Sequence, residues 1–145
     1  MRAVVQRVKN GSVTIEGERV AEIGQGMVIL LGVGPEDSET QAAALARKIA
    51  KLRIFSDAGD KINLSVLDIE GEAIVVSQFT LYANTHKGNR PSFVNAAPPA
   101  IASPLVDRFV ELLRGQGVPV QTGEFGADML VEIANDGPVT ILLEM

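Results

Sequence analysis

Two apolar segments, each too short to cross a membrane, most constrain how this chain folds. They are Met27–Val33 and Ala73–Phe79, whereas a membrane-spanning helix needs about 18 or more consecutive apolar residues. Short apolar runs bounded by glycine or polar residues are typical of buried strands. We therefore predict that both segments are buried strands of one sheet.

Shorter patterns predict the remaining strands. The segment Met1–Lys9 is rich in valine, and Asn10-Gly11 after it favours a hairpin that returns through Ser12–Glu16. Further along, four more segments have strand character and are bounded by turn residues. They are Arg19–Ile23, Pro119–Thr122, Asp128–Ala134 and Val139–Met145.

Two segments carry helix signals. Ser38 and Gln41 have the spacing of a capping box, which predicts a helix that ends near Leu52. Ser103-Pro104 predicts the start of a second helix, which ends at Gly115. The predicted fold class is α+β, with a mostly antiparallel, barrel-like β-sheet and two covering helices.

The composition excludes several classes of site. The chain has 145 residues, 46% of them hydrophobic, and no cysteine. It is long enough for one domain, residues 1–145, to bury its own core, and disulfides and thiolate nucleophiles are excluded. No phosphate-binding glycine loop and no histidine-rich site is present, so we expect no cofactor and no metal. A cytoplasmic location is the default expectation, since the N-terminal residues have no apolar leader segment.

The charge is distributed unevenly. The net charge of −5 argues against broad binding of nucleic acid. However, residues 73–106 contain no acid and do contain His86, Lys87 and Arg90. This segment is either a local basic footprint or simply a buried strand followed by a solvated loop.

A polar motif, Ser77-Gln78-Phe79-Thr80-Leu81, closes the second apolar segment. Backbone N–H groups at a strand end can stabilise the oxyanion of ester hydrolysis, at about 3–4 kcal/mol per donor. The Ser77 and Thr80 hydroxyls are candidate nucleophiles, although both residue types are also ordinary in strands. A covalent scheme would need His86 as its base, and no acidic residue lies near this only histidine in the sequence.

A second motif, Asn135-Asp136-Gly137-Pro138-Val139-Thr140, precedes the last apolar segment. Gly137-Pro138 is compatible with a β-turn between two strands. It is equally compatible with a cis peptide bond, which about 5–6% of X–Pro bonds adopt. The sequence leaves both interpretations open.

Four motifs, in this order, resemble those of the D-aminoacyl-tRNA deacylases, and the resemblance runs from Met1 to Met145. This resemblance implies a homodimeric hydrolase that cleaves the ester between a D-amino acid and tRNA. The four matching segments are Met1–Val8, Ser77–Leu81, Gly88–Phe93 and Asn135–Thr140.

The resemblance also implies roles for individual residues. Ser77, Gln78, Phe79 and Thr80 form the catalytic segment, which acts mainly through its backbone and through the 2′-hydroxyl of the terminal adenosine. By the same resemblance, Gln78 lies near the ester, while Phe79 lines the adenosine pocket or is a plain core residue.

In the same family the Gly-Pro matching Gly137-Pro138 is cis and enters the partner subunit's active site. There it occupies the space of an L side chain, so D-aminoacyl esters are cleaved and L-aminoacyl esters are spared. Glycine has no side chain to clash, so glycyl-tRNA should also be cleaved. Arg7, Lys87 and Arg90 are candidate tRNA contacts, although Arg90 is at least as compatible with anchoring its own loop.

Two other functions remain open from the residues alone. One is a general esterase that uses Thr80 or Ser77 as a covalent nucleophile and His86 as its base. The other is a non-catalytic dimer that binds RNA without cleaving an ester.

Overall fold

The computed structural model describes residues 1–145 and contains eight strands, two α-helices and one 3₁₀ helix. The strands are β1 Arg2–Ile15, β2 Glu18–Ile23, β3 Gly26–Gly32, β4 Phe55–Ser56, β5 Ile62–Leu64, β6 Glu72–Ser77, β7 Val120–Thr122 and β8 Leu130–Glu144. The helices are α1 Glu39–Ala50, the 3₁₀ helix Phe79–Tyr82 and α2 Pro99–Gly115. Neither α-helix combines the length and the apolar composition that a membrane crossing requires.

The main sheet is mixed, so the expectation of a mostly antiparallel sheet is wrong. Its strands follow the order β2-β1-β3-β6-β7, and β8 pairs with β1. The pairs of β1 with β2, β3 and β8 are antiparallel, whereas β3 with β6 and β6 with β7 are parallel. The parallel pairs arise because α1 and α2 lie in the connections between these strands, and parallel neighbours need such crossovers.

The sheet closes almost completely into a barrel, as expected. Its two ends, β2 and β7, meet through the Gln121 side chain rather than through a strand ladder. The Gln121 Nε2 group donates to the Glu22 carbonyl at 2.7 Å, and the Glu22 N–H donates to Gln121 Oε1 at 2.9 Å. One side-chain amide therefore replaces the backbone pairing that a fully closed barrel would have.

The Asn10-Gly11 hairpin is not formed. Instead, β1 continues through both residues, and Gly11 is paired with Ile23 on one side and with Ile133 on the other. Pairing on both edges outweighs the local turn preference of Asn-Gly, because a hairpin here would abandon both ladders.

Of the two interpretations left open for Gly137-Pro138, the β-turn between two strands is not formed. A single strand, β8, runs antiparallel to β1 before and after this dipeptide. Gln6 pairs with Thr140 and Val8 with Asn135, so residues 136–139 bulge outwards opposite Arg7 alone. The motif is therefore a bulge within a long strand, and bulges of this kind often re-aim residues near active sites.

The two α-helices cover one face of the sheet and enclose an aliphatic core. The fully buried side chains there include Leu45 and Ile49 of α1 and Phe109 and Leu113 of α2. A smaller buried cluster around Val28 and Ile74 fills the barrel interior on the other face. The strands β3 and β6 are therefore buried on both faces, as their apolar runs predicted.

One of the two predicted helix starts is confirmed, and the other is wrong. The capping box of α1 is confirmed, since Ser38 Oγ accepts from the Thr40 N–H and Gln41 Oε1 accepts from the Ser38 N–H. The predicted start of α2 is wrong, because the helix begins at Pro99 and contains Ser103-Pro104 in its interior. Pro104 is tolerated there because it is exposed, so water can solvate the carbonyl that loses its partner.

Removing these two serine hydroxyls should therefore have different effects on stability. We expect Ser38→Ala to lower the free energy of unfolding by about 1 kcal/mol, because the Ser38 hydroxyl no longer accepts from the Thr40 N–H or donates to Gln41 Oε1. Ser103→Ala should be neutral or slightly stabilising, since alanine is the better residue inside a helix. Urea unfolding followed by circular dichroism measures both, and a larger loss for Ser103→Ala would contradict the observed start of α2.

Candidate active site

The polar motif Ser77–Leu81 lies where β6 gives way to the 3₁₀ helix. The Gln78 N–H still continues the ladder by donating to the Leu31 carbonyl at 2.7 Å. Within the helix, the first hydrogen bond runs from the Leu81 N–H to the Gln78 carbonyl at 3.2 Å. The N–H groups of Phe79 and Thr80 precede that bond, and the Gln78 side chain does not cap them. This segment therefore carries two neighbouring donors with no acceptor inside the helix.

A cavity of about 630 Å³ adjoins this segment, and 13 of its 19 lining residues are hydrophobic. Ser77, Gln78 and Phe79 form part of its wall. The other walls come from the loop before α2, the first turns of α2 and the loop between β7 and β8. A concave, mostly apolar pocket with a few polar groups at one edge is the usual form of a small-ligand site.

The aromatic residues at the mouth of the cavity are exposed. Phe79 is 55% exposed, so its interpretation as a plain core residue is wrong. Its ring meets that of Phe93 edge to face, with the ring centroids 5.0 Å apart and the planes at 74°. Such a pair presents a fixed aromatic surface, and exposed aromatic rings are common stacking partners for unpaired bases.

The hydroxyl groups of the motif have no base beside them. Thr80 Oγ1 accepts a hydrogen bond from Gln78 Nε2 at 2.5 Å, and an amide cannot remove a proton. Ser77 is half-buried and lines the cavity. His86 is exposed, and its contact is the backbone N–H that donates to Asn84 Oδ1 at 3.0 Å. No hydrogen bond joins His86 to Ser77 or to Thr80.

Arg7 holds the bulge that contains Gly137 and Pro138. Its side chain is 11% exposed, and its Nε donates to the Asp136 carbonyl at 2.8 Å. Its Nη1 donates to the Ile54 carbonyl at 2.8 Å. These contacts use the guanidinium to support the bulge, which is a different role from the tRNA contact expected from the sequence.

The bulge itself is exposed and conformationally unusual. The Gly137–Pro138 peptide bond is cis, and both residues are exposed. Gly137 has a φ of +133°, and a Cβ there would lie 2.9 Å from Arg7 Nη2. Glycine is therefore required at this position by both its backbone conformation and its neighbour. Neither residue lines the cavity of its own chain.

Asn135 is a supporting residue to which the sequence analysis gave no role. Its Oδ1 accepts from the Val139 N–H at 2.7 Å, and its Nδ2 donates to Gln6 Oε1 and to Thr140 Oγ1, each at 3.0 Å. The side chain thereby closes the base of the bulge. An asparagine two residues before a Gly-Pro pair was the available signal, because asparagine often bonds to nearby backbone.

Lys87 and Arg90 lie in an exposed loop that follows the 3₁₀ helix. The backbones of Asn84 and Ser92 pair at the base of this loop, with N–H to carbonyl distances of 2.8 and 2.9 Å. Neither basic residue lines the cavity or forms an ion pair within the chain. Both charges are therefore available to an anion outside the pocket.

No cluster of three or more His, Cys, Asp or Glu side chains of the kind that holds a metal ion is present.

One titratable group next to the motif, the phenol of Tyr82, has a strongly shifted pKa. Burial and the neighbouring Asp37 carboxylate raise the pKa of Tyr82 to about 12, so the phenol is neutral and remains a hydrogen-bond donor at physiological pH.

Comparisons with known proteins show the family to which this chain belongs. The family model described as D-Tyr-tRNA(Tyr) deacylase matches residues 4–144. The D-aminoacyl-tRNA deacylase of Roseiflexus sp. (strain RS-1) is 62% identical over 144 residues, covering 99% of this chain and 93% of that protein. The D-aminoacyl-tRNA deacylase of Chlorobaculum parvum is 57% identical over 145 residues, covering 99% and 97%.

Two solved structures have a similar fold. One, titled c-Myc DNA Unwinding Element Binding Protein, has a TM-score of 0.93 and 44% identity, covering 100% of this chain and 99% of that one. The other, titled as a structural analysis of a probable eukaryotic D-amino acid tRNA deacylase, has a TM-score of 0.82 and 18% identity, covering 99% and 98%. At 18% identity, the second likeness is evidence for the fold alone. The family model matches nearly the whole chain, and both curated relatives are more than half identical to it in sequence. This chain therefore belongs to the D-Tyr-tRNA(Tyr) deacylase family, whose members hydrolyse the ester of D-aminoacyl-tRNA.

Proposed function

We propose that residues 1–145 act as one deacylase domain in a homodimer with two shared active sites. In each site, the cavity beside Ser77–Phe79 binds the aminoacylated end of tRNA. Gly137 and Pro138 of the partner subunit enter the same site and exclude L-amino acids. The observation that carries this proposal is that Ser77, Gln78 and Phe79 line an apolar cavity at the start of a 3₁₀ helix whose first N–H groups, those of Phe79 and Thr80, have no acceptor within the helix.

The requirement for a second copy follows from the position of the bulge. Gly137 and Pro138 are exposed and take no part in the cavity of their own chain. They lie on β8, which pairs with β1 on one edge only and leaves its other edge unpaired. The same strand exposes Leu130 and Leu142 by 63% and 67%. A long unpaired edge with exposed leucines favours association with another chain.

Chiral selection in this proposal is steric. The carbonyls of Gly137 and Pro138 hold the amino group of the substrate and fill the space that an L side chain would need. A D side chain points towards solvent, so the site has no side-chain pocket and accepts many D-amino acids. Such a filter cannot reject glycine, because steric exclusion acts only on a group that is present.

Catalysis in this proposal relies on the backbone. The N–H groups of Phe79 and Thr80 donate to the ester oxygen as it gains negative charge, which is the usual action of an oxyanion hole. A water molecule adds to the carbonyl carbon, and the ribose hydroxyl leaves with a proton. The 2′-hydroxyl of the terminal adenosine assists this step, and Gln78 lies beside the ester. The adenine stacks on Phe79.

The basic residues divide into two roles. Lys87 and Arg90 contact phosphates of the tRNA end, which is supported by their exposure and by the lack of ion pairs within the chain. Arg7 acts from beneath the bulge by holding the Asp136 carbonyl. Phosphate contacts of this kind weaken as the salt concentration rises.

The proposal predicts a specific order among three substrates. The purified protein should cleave D-tyrosyl-tRNA and glycyl-tRNA, and should spare L-tyrosyl-tRNA. Loss of radiolabelled amino acid from each tRNA measures this directly. Equal cleavage of the D and L esters would contradict the proposed steric filter and favour a general esterase. Binding of tRNA without cleavage of any ester would favour the non-catalytic RNA-binding dimer.

Side-chain hydroxyls should contribute little to the rate. We expect Ser77→Ala, Thr80→Ala and His86→Ala each to lower kcat on D-tyrosyl-tRNA by less than about tenfold, because backbone donors remain in place. A covalent nucleophile would instead lose on the order of a thousandfold or more when replaced. Single-turnover hydrolysis of D-tyrosyl-tRNA separates the two schemes, and large losses from both Thr80→Ala and His86→Ala would contradict the backbone mechanism.

Shared sites predict that two inactive variants restore each other. Homodimers of either variant should be at least about tenfold slower than the wild type. Phe79→Ala lacks the ring on which the adenine stacks. Gly137→Ala places a side chain on a backbone conformation that only glycine adopts easily, which distorts the bulge. Co-expressed with different tags, they form mixed dimers that contain one intact site. Random pairing then restores about a quarter of the wild-type activity.

A matched control combines two substitutions in the same motif. Mixing Gly137→Ala with Pro138→Ala leaves no intact site in any dimer, so activity should not recover. Recovery in this control, or none in the first mixture, would contradict the shared site. Sedimentation velocity confirms that every variant is still a dimer.

A further inference from the structure

The C-terminal end of the 3₁₀ helix is held by residues that lie outside the cavity. These residues are Arg2, Asp37 and Tyr82, and none of them lines the cavity wall. Direct contact with a substrate in the cavity therefore does not account for their arrangement.

Tyr82, the last residue of the 3₁₀ helix, is anchored to the loop after β3. Its phenol oxygen donates to Asp37 Oδ2 at 3.3 Å. Asp37 is itself fixed from two other directions. Its Oδ2 accepts from the Gly34 N–H at 2.6 Å, and its Oδ1 accepts from the Met1 ammonium group at 2.5 Å. The acceptor for Tyr82 is thus a carboxylate that cannot easily change its position.

Arg2 holds the same end of the helix through its guanidinium group. Its Nη1 donates to the Leu81 carbonyl at 3.0 Å, and its guanidinium carbon lies 4.6 Å from the centre of the Tyr82 ring. Its Nε donates to Glu144 Oε1 at 3.0 Å, which links the helix to the end of β8. A cation at a helix C-terminus and over an aromatic face is favourable on both counts.

The helix also lies unusually close to the strand end beneath it. A Cβ at Gly32 would be 3.0 Å from the Gln78 carbonyl oxygen, and one at Gly34 would be 2.9 Å from the Tyr82 hydroxyl. Gly32-Val33-Gly34, which is too short for a phosphate-binding loop, therefore has a packing role. Its glycines allow the 3₁₀ helix to contact the backbone of this segment.

We propose that Arg2 and Tyr82 are positioning residues for ester hydrolysis. They fix the helix end, and hence the direction in which the Phe79 and Thr80 N–H groups point at the ester. This inference rests on the proposed function, in which those two N–H groups act on the oxyanion. Displacement of a catalytic group by about 1 Å can cost up to a hundredfold in rate, so a modest shift of this short helix matters.

The test compares kcat with KM for D-tyrosyl-tRNA in three variants. Arg2→Met removes the bonds to Leu81 and Glu144, and kcat should fall about tenfold with little change in KM, because the cavity wall is intact. Arg2→Lys retains the charge over the Tyr82 ring but not the two-sided hydrogen bonding, so it should recover part of the rate. Tyr82→Phe, which loses only the bond to Asp37, should reduce kcat about threefold.

Arg108→Met is the matched control for loss of stability. Arg108 joins α1 to α2 through Glu39 at 2.7 Å and also contacts Glu111 at 2.8 Å, so its removal breaks comparable bonds away from the cavity. We expect it to lower the melting temperature about as much as Arg2→Met while kcat is unchanged.

Two results would overturn the positioning role. One is a wild-type kcat in a folded Arg2→Met protein, and the other is an equal fall in kcat for Arg108→Met. Either can occur while the wild-type protein still cleaves D-tyrosyl-tRNA and spares L-tyrosyl-tRNA, in which case the proposed function stands and only this inference fails. A wild-type protein without that selectivity would overturn the proposed function itself.

Discussion

The antiparallel pairing of β1 with β8, from Arg2 with Glu144 to Thr14 with Leu130, is the interaction on which the rest of the structure depends. On its other edge, β1 pairs first with β3 and then with β2. The single strand β1 therefore sets the register of three neighbouring strands. The same pairing places Arg7 under the Gly137 bulge and brings Arg2 to the end of β8. Local features of the site thus follow from a ladder between the first and last strands of the chain.

The parallel pair β3 and β6 determines where the cavity forms. Both strands end at the same edge of the sheet, near Gly32 and Ser77. In sheets that contain parallel strands, ligands commonly bind beyond the carboxyl ends, because loops and helix starts converge there. Here, the 3₁₀ helix and the loop before α2 meet at that edge around an apolar space. The lining of this space is mostly hydrophobic, and Ser77 and Gln78 are among its few polar residues.

Sequence patterns were reliable where the deciding interactions are local. The capping box at Ser38 depends on residues three positions apart, and the buried strands β3 and β6 depend on their own apolar runs. Patterns failed where distant partners outweighed local preference. Asn10-Gly11 favours a hairpin, yet ladders on both edges of β1 keep it extended. Ser103-Pro104 has the form of a helix start, yet α2 begins at Pro99, so that the buried Ala102 joins the core.

By itself, the sequence determined the family and the segments that form the core, because these depend on residue types and their order. Only the tertiary structure decided that Gly137-Pro138 is a bulge rather than a turn and that Arg7 supports it. It also decided that Phe79 is exposed beside a cavity, that Asn135 closes the base of the bulge, and that Arg2 and Tyr82 hold the helix end. The reason is physical: these features depend on contacts between segments far apart in the chain, such as Arg2 with Leu81 and Arg7 with Asp136. No local pattern records which distant backbone groups will meet.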